Sequence, residues 1–237
     1  MQATASTNDV RLTIPFVSRG REIARLRQLH KQRRHVLILG PEGVGKSALV
    51  AHLRDSLRLR VCPASERLSE ICDALEREFD LEAGDFHIVR RKNRLLKLLK
   101  GTKRAVAFDG AGWTTPKLSS FIENVSERVP VWICARSEHP WDIGHIWPLL
   151  VRFEHVELKP FHPGETQMLV EAAVRGGSVP AETLNIVSWL HRRAAGNPKV
   201  LCELLKEIAR GHYDLSNPHA LRLLNLDRRI HELFPTA

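Results

Sequence analysis

The sequence has 237 residues, 43% of them hydrophobic, which suits one large domain or one domain with a small companion. It contains no run of eighteen apolar residues, so no membrane span is predicted, and residues 1–9 lack the charged and apolar segments of a secretory signal. Lysine and arginine number 36 against 27 acidic residues, a net charge of +9 that favours a polyanionic partner. We therefore expect a cytoplasmic protein.

The first predicted elements are an apolar strand over residues 36–39, a glycine-rich turn and a helix over residues 46–57. The turn reads Gly-Pro-Glu-Gly-Val-Gly-Lys-Ser, and this order of elements is what a Walker A phosphate loop requires. Glycines let backbone N–H groups approach a phosphate, Lys46 would reach the β- and γ-phosphates, and the Ser47 hydroxyl would bind Mg²⁺. The predicted nucleotide-binding residues are Gly40, Pro41, Glu42, Gly43, Val44, Gly45, Lys46, Ser47 and Ala48.

Strands and helices alternate along the next hundred residues. The further predicted strands cover residues 58–62, 105–109, 131–135 and 153–158, and the helices between them cover residues 68–79, 86–99 and 116–129. Ser65 is predicted to cap the first of these helices. This alternation predicts a three-layer α/β fold with a mainly parallel sheet.

Beyond residue 160 the pattern becomes entirely helical. The predicted helices cover residues 164–175, 181–194, 199–210 and 218–233, separated by glycine, asparagine and proline. We therefore expect a flexible lead-in over residues 1–15, an α/β core over residues 16–159, and a small helical lid over residues 160–237.

Asp109 ends an apolar strand, where open α/β sheets place groups that bind ligands. Its spacing from the phosphate loop suits a Walker B aspartate that would hold Mg²⁺ together with Ser47; the alternative is a solvated aspartate that starts a turn. Many hydrolysing P-loop enzymes carry a glutamate at the next position, and this chain has Gly110. Because that glutamate orients the attacking water, we expect ATP hydrolysis to be weak or slow.

A basic cluster occupies residues 90–104, which contain no acidic residue. The predicted DNA-contacting residues are Arg90, Arg91, Lys92, Arg94, Lys97, Lys100, Lys103 and Arg104. A smaller cluster, Lys31, Arg33 and Arg34, precedes the phosphate-loop strand. The absence of interleaved aromatic residues favours contact with a duplex backbone over single-strand stacking. The alternative is a solubilising helix surface.

These motifs together resemble AAA+ ATPases, including the related signalling branch called STAND. Residues 16–26 are similar to the "F-x-GR-x-x-E-L-x-x-L" lead-in of that superfamily, which implies a segment folded over the adenine. Asp109, Gly110 and Ala111 are similar to the "D-E-A" Walker B of origin-recognition initiators and of transposon target-selection ATPases, with glycine in place of glutamate. The resemblance implies ATP and Mg²⁺ as ligands.

Three further cations occupy places that this family uses around the nucleotide. Arg136 follows the strand that carries sensor 1, so the resemblance implies an approach to the γ-phosphate. Arg152 stands where the family has an arginine finger for a neighbouring subunit, although a plain surface arginine is the alternative. Lys199 replaces the arginine of the sensor 2 motif "G-x-P-R", and lysine keeps the charge without the bidentate geometry.

Two classes of function follow from this sequence. The first is a nucleotide-dependent oligomeric switch on DNA, a ring or filament acting in transposition target selection or a related transaction such as replication initiation, with a recombinase or transposase as a possible partner. The alternative is a STAND-like signalling or defence ATPase that controls protein–protein assembly. A metabolic P-loop kinase is a third possibility.

Overall fold

A computed structural model describes residues 16–63, 65, 67–81, 87–211 and 213–233. The chain divides into two compact units, an α/β unit from Arg19 to Lys159 and a helical unit that begins at Pro160 and also includes residues 16–18. The predicted lead-in at residues 1–15 and the predicted helix start at Phe86 lie outside the described residues.

The α/β unit is built on five parallel strands in the order β2-β3-β4-β1-β5. The strands are β1 (Val36–Leu39), β2 (Arg60–Pro63), β3 (Val106–Ala111), β4 (Val131–Ala135) and β5 (Glu154–Glu157). The helices are α1 (Gly20–Lys31), α2 (Lys46–Leu57), α3 (Leu68–Glu78), α4 (Ile88–Lys100), α5 (Pro116–Ser126), α6 (Pro140–Ile143) and α7 (Trp147–Leu150). The predicted α/β fold with a mainly parallel sheet is therefore confirmed.

The central strands are apolar because helices cover the sheet. Every residue of β4 is buried, and the first three residues of β1 are fully buried as well. Trp132 of β4 is fully buried and meets His30 of α1 edge-to-face, with ring centroids 6.1 Å apart. Strand β1 lies between β4 and β5, so the turn that follows it starts from an interior strand of the sheet.

The helical unit contains α8 (Pro163–Arg175), α9 (Val187–Ala194), α10 (Pro198–Ala209) and α11 (Pro218–Leu233), with a 3-10 helix over Ala181–Ile186. A capping box starts α8, in which the His162 ring accepts the N–H of Glu165 and the Glu165 carboxylate accepts the N–H of His162 at 3.0 Å. The core of the helical unit includes the fully buried Leu201, Leu204 and Leu205 of α10. Among the described residues, no helix is both long enough and apolar enough to cross a bilayer.

Two predicted helices differ from those in the structure. The helix predicted over residues 181–194 is split, because Ile186 leaves helical geometry at φ −112° and ψ 14° before α9 begins. Ser65 does not cap α3 directly, since that helix begins at Leu68. The Ser65 hydroxyl instead accepts the N–H of Arg67 at 3.0 Å, so it shapes the turn that leads into the helix.

Candidate functional site

The glycine-rich turn connects β1 to α2 at the carboxyl edge of the sheet. Gly40, at φ 151°, lies so close to the end of β5 that a Cβ atom there would be 2.5 Å from the carbonyl oxygen of Leu158 and 3.0 Å from Cγ1 of Val44. The N–H of Leu158 in turn donates to the carbonyl oxygen of Leu39 at 2.7 Å. Only glycine therefore lets the chain leave β1 at this point, and the turn is held in one conformation.

Lys46 opens α2 and folds back across the turn. Its Nζ donates to the carbonyl oxygens of Gly40 at 2.6 Å and Pro41 at 2.9 Å, so the ammonium group lies over the loop. Partial burial of the side chain lowers the pKa of Lys46. A cation in this position, at the amino terminus of a 12-residue helix, makes the loop a site for an anion.

Ser47 and Asp109 bring two oxygen ligands together from different elements. The Ser47 hydroxyl, in the first turn of α2, donates to Oδ1 of Asp109 on β3 at 3.1 Å. Mg²⁺ prefers hard oxygen ligands and commonly uses one or two protein groups beside phosphate and water. No cluster of three or more histidine, cysteine, aspartate or glutamate side chains suited to a metal occurs in the described parts of the chain. The Ser47–Asp109 pair therefore fits Mg²⁺ that is bound together with a phosphate.

Cys134 supports Asp109 from the neighbouring strand β4. This side chain is fully buried, and burial raises the pKa of its thiol well above the ordinary value, an effect to which the hydrogen-bonded Asp109 carboxylate adds. The thiol is therefore neutral and polar beneath the carboxylate. The apolar pattern of residues 131–135 predicts only a strand that contains Cys134, because the contact with Asp109 depends on the register of the strands.

Gly110 lies in an irregular part of β3. Phe108 pairs with Ile133 and Ala111 with Ala135, so β3 contains one more residue than β4 over this interval, as in a β-bulge. Gly110 has φ 81°, in the left-handed region that favours glycine. Gly110 therefore stands where the family has its glutamate, and any other side chain at this position would strain the backbone.

We expect Gly110→Ala to lower the free energy of unfolding by about 1 kcal/mol, since alanine resists a left-handed backbone. The matched control is Gly112→Ala two residues later, where a Cβ atom meets nothing within 4 Å. That variant should be neutral or slightly stabilising. Chemical denaturation of both proteins measures the difference, and equal midpoints would contradict the strained geometry assigned to Gly110.

Arg136 follows β4 and reaches the phosphate loop. Its Nη2 lies 2.6 Å from Oε2 of Glu42, and both side chains are largely exposed. An exposed pair of this kind contributes little to stability and can exchange partners readily. The structure therefore brings Arg136 to the loop through a carboxylate partner that the sequence did not predict, and its approach to the γ-phosphate stays a prediction.

Arg19, the residue that precedes α1, contacts the loop and was not predicted from the sequence. The side chain is 5% exposed, and its Nη2 donates to the carbonyl oxygen of Val44 at 3.1 Å while Nη1 lies 3.4 Å from Glu22. Arg19 and Ser18 both adopt positive φ, at 65° and 67°. The family lead-in predicted over residues 16–26 includes Arg19, but the sequence there does not indicate that a buried arginine holds the loop.

Arg152 and Lys199 are not brought to the phosphate loop within the α/β unit. Arg152 lies just before β5, at the amino edge of the sheet, whereas the loop lies at the carboxyl edge. A four-residue strand separates these edges by about 13 Å. Lys199 belongs to the helical unit, where its Nζ lies 3.9 Å from Oε1 of Glu203. The roles assigned to both cations therefore stay predictions.

The basic cluster lies on α4 and the turn that follows it. Arg90, Lys97, Lys100 and Lys103 are exposed, and Lys92, Arg94 and Arg104 are half-buried. Although residues 90–104 contain no acidic residue, Arg91 has acidic partners from another helix. Its guanidinium bonds to Asp73 and to Glu76 of α3, at 2.5 Å from Oε2 of Glu76. Arg91 therefore joins α4 to α3, while Arg90, Lys97, Lys100 and Lys103 are exposed.

Comparison with known families matches residues 15–131 to the AAA ATPase domain. No curated protein sequence matches the chain significantly. The match covers the phosphate loop, the Ser47–Asp109 pair and α4, so it includes the central part of the site described above.

Several solved structures share the fold. Cdc6p from Pyrobaculum aerophilum aligns at 14% identity with a TM-score of 0.62, over 86% of this chain and 64% of that protein. The Orc1 protein of Aeropyrum pernix, solved in complex with DNA, aligns at 14% identity with a TM-score of 0.63, over 91% of this chain and 66% of that protein. A Walker-type ATPase of Pyrococcus abyssi aligns at 17% identity with a TM-score of 0.61, over 92% of this chain and 75% of that protein. The chain thus spans just under two thirds of the length of Cdc6p and Orc1.

Proposed function

We propose that this chain, whose residues 15–131 match the AAA ATPase domain, is an ATP-dependent oligomeric switch that acts on DNA. The observation that carries the nucleotide part is the pairing of Ser47 with Asp109 beside a loop already crossed by Lys46. The proposed setting is transposition target selection or a related DNA transaction.

The residues around the loop fit ATP and Mg²⁺. Backbone N–H groups of the loop and the start of α2 would hold the β- and γ-phosphates, Lys46 would add a positive charge, and Ser47 with Asp109 would hold Mg²⁺. Bound ATP supplies a γ-phosphate that distinguishes the state before hydrolysis from the state after it. Arg136, now paired with Glu42, is the side chain placed to respond to that difference.

We expect weak ATP hydrolysis because of the residues near Asp109. Gly110 provides no carboxylate to orient water, and the nearby carboxylate of Glu42 is engaged by Arg136. A protein with this site would keep ATP unhydrolysed for longer than one that carries the glutamate. Slow turnover suits a switch better than a motor that consumes ATP continuously.

The oligomeric part of the proposal rests on Arg152. This arginine is exposed and lies at the sheet edge opposite its own phosphate loop, so it could complete only the site of a neighbouring copy. A ring or filament provides that arrangement, because each subunit then receives one arginine and donates another. Lys199 of the helical unit is proposed as a further cation near the nucleotide.

The DNA part of the proposal rests on the exposed cations of α4. The logarithm of the affinity for a short duplex should fall linearly with the logarithm of salt concentration, because phosphate contacts release counterions. Fluorescence anisotropy with a labelled duplex, repeated over a series of salt concentrations, measures that slope. Affinity too weak to measure at low salt, with and without nucleotide, would show that the protein does not act on DNA.

A further inference from the structure

Cationic side chains line the amino edge of the parallel sheet, opposite the phosphate loop. Every strand is preceded, within three residues, by arginine or lysine. In the order β2-β3-β4-β1-β5 these residues are Arg58, then Lys103 and Arg104, then Arg128, then Arg33 and Arg34, and finally Arg152. We call this set the strand-entry row. Because parallel strands all begin at one edge, the sheet aligns residues that are far apart in the sequence.

A direct contact joins the two basic clusters of the sequence within this row. Nη1 of Arg33 donates to the carbonyl oxygen of Lys103 at 3.3 Å, although the two residues are 70 positions apart. Helix α4 ends at Lys100, three residues before Lys103, so its exposed cations continue into the row. The strand-entry row and the exposed cations of α4 therefore form one surface within the α/β unit.

Most of the row is not neutralised by acidic neighbours. Glu154 accepts from Arg34 at 2.9 Å and from Arg25 at 3.0 Å, and Glu127 lies 3.4 Å from Arg128. Within the part of the chain that the structure describes, the row members with no carboxylate within 4.0 Å are Arg33, Arg58, Lys103, Arg104 and Arg152. These five cations span four of the five strand entries.

Two row members occupy positions where arginine strains the backbone. Arg33 and Arg58 have φ values of 55° and 54°, in the left-handed region that helix ends usually fill with glycine. The dipole of the preceding helix favours a cation anywhere in its last turn, so it does not require arginine at these two positions. Strain that the fold does not require is commonly found where a side chain serves binding.

We infer that the strand-entry row binds the phosphate backbone of duplex DNA through its members other than Arg152, which is assigned above to a neighbour's nucleotide site, and so extends the contact made by α4 across the sheet edge. This inference rests on the proposed function, since it identifies the surface that would contact DNA. The entries from β2 to β1 cover four strands at about 4.8 Å spacing, so this part of the row is about 14 Å long. Half a turn of duplex is about 17 Å long, so this part of the row fits along half a turn.

The double variant Arg33→Gly with Arg58→Gly tests the row without endangering the fold. Glycine suits both left-handed positions, so the melting temperature should stay the same or rise. Each lost phosphate contact lowers the slope of log affinity against log salt by about 0.9, so the slope should fall by nearly 2. The affinity at moderate salt should fall about tenfold or more.

The matched control is Arg67→Ala with Lys117→Ala, which removes the same charge from exposed residues outside the row. This control should keep a slope close to that of the unaltered protein, and Arg33→Lys with Arg58→Lys should retain it as well. If the unaltered protein binds DNA and the glycine variant matches the control, the row is not a DNA surface while the proposed function stands. If the unaltered protein binds no duplex even at low salt, both are wrong.

Discussion

Replacing Lys46 with alanine is expected to weaken the binding of a non-hydrolysable ATP analogue about 100-fold, or about 2.7 kcal/mol. The ammonium group lies over the loop through its bonds to Gly40 and Pro41, where the phosphates of a nucleotide would be held. A hydrogen bond to a charged group contributes about 1.5–3 kcal/mol, and Lys46 would make at least one of these to phosphate. Calorimetric titration in the presence of Mg²⁺ measures the change.

The control for this variant is Lys117→Ala, which removes an exposed lysine of the same unit at the start of α5. It should bind the analogue with unchanged affinity. Both variants should unfold at nearly the temperature of the unaltered protein, because neither lysine belongs to the buried core. If Lys46→Ala retained full affinity, the glycine-rich turn would not be a nucleotide site.

Replacing Arg91 with alanine is expected to lower the free energy of unfolding by about 3 kcal/mol. Glu76 is 3% exposed and receives two nitrogens of the Arg91 guanidinium, at 3.1 and 2.5 Å from Oε2. Without Arg91 its carboxylate would remain buried without its charge partner, which is the costly way to break an ion pair. We expect the lower end of the usual 3–5 kcal/mol because the second partner, Asp73, is more than half exposed.

Urea denaturation of Arg91→Ala tests this value, with the exposed Lys97→Ala as the control from the same helix. Lys97→Ala should change stability by less than about 0.5 kcal/mol. Adding Glu76→Gln to Arg91→Ala should restore much of the loss, since the uncompensated charge is then removed. If Arg91→Ala and Lys97→Ala were equally stable, Arg91 would be a surface cation like the others in the basic cluster.

The elements that carry the site could be predicted because their signals are local. The strand over residues 36–39, the turn from Gly40 to Ser47 and the helix ending at Leu57 are consecutive, and the structure places them within a residue of the prediction. Asp109 was identified from its position at the end of an apolar strand. Its closeness to Ser47 then follows from the common edge of parallel strands.

The features that sequence reasoning missed depend on contacts between distant elements. The ion pairs of Arg91 with Asp73 and Glu76 require α3 and α4 to pack side by side. No local sequence pattern indicates that packing. The buried Arg19 depends on a left-handed turn that non-glycine residues rarely adopt. The bulge at Gly110 is a property of the pairing between β3 and β4, so a single strand does not reveal it.

The central claim is that nucleotide at the phosphate loop controls binding to DNA. Its most direct measurement is the affinity for a labelled duplex at one fixed low salt concentration, with and without a non-hydrolysable ATP analogue and Mg²⁺, for the unaltered protein and for Lys46→Ala. We predict that the analogue raises the affinity of the unaltered protein at least tenfold, or about 1.4 kcal/mol of coupling, and leaves that of Lys46→Ala unchanged. An analogue that leaves the affinity of the unaltered protein unchanged would contradict the claim.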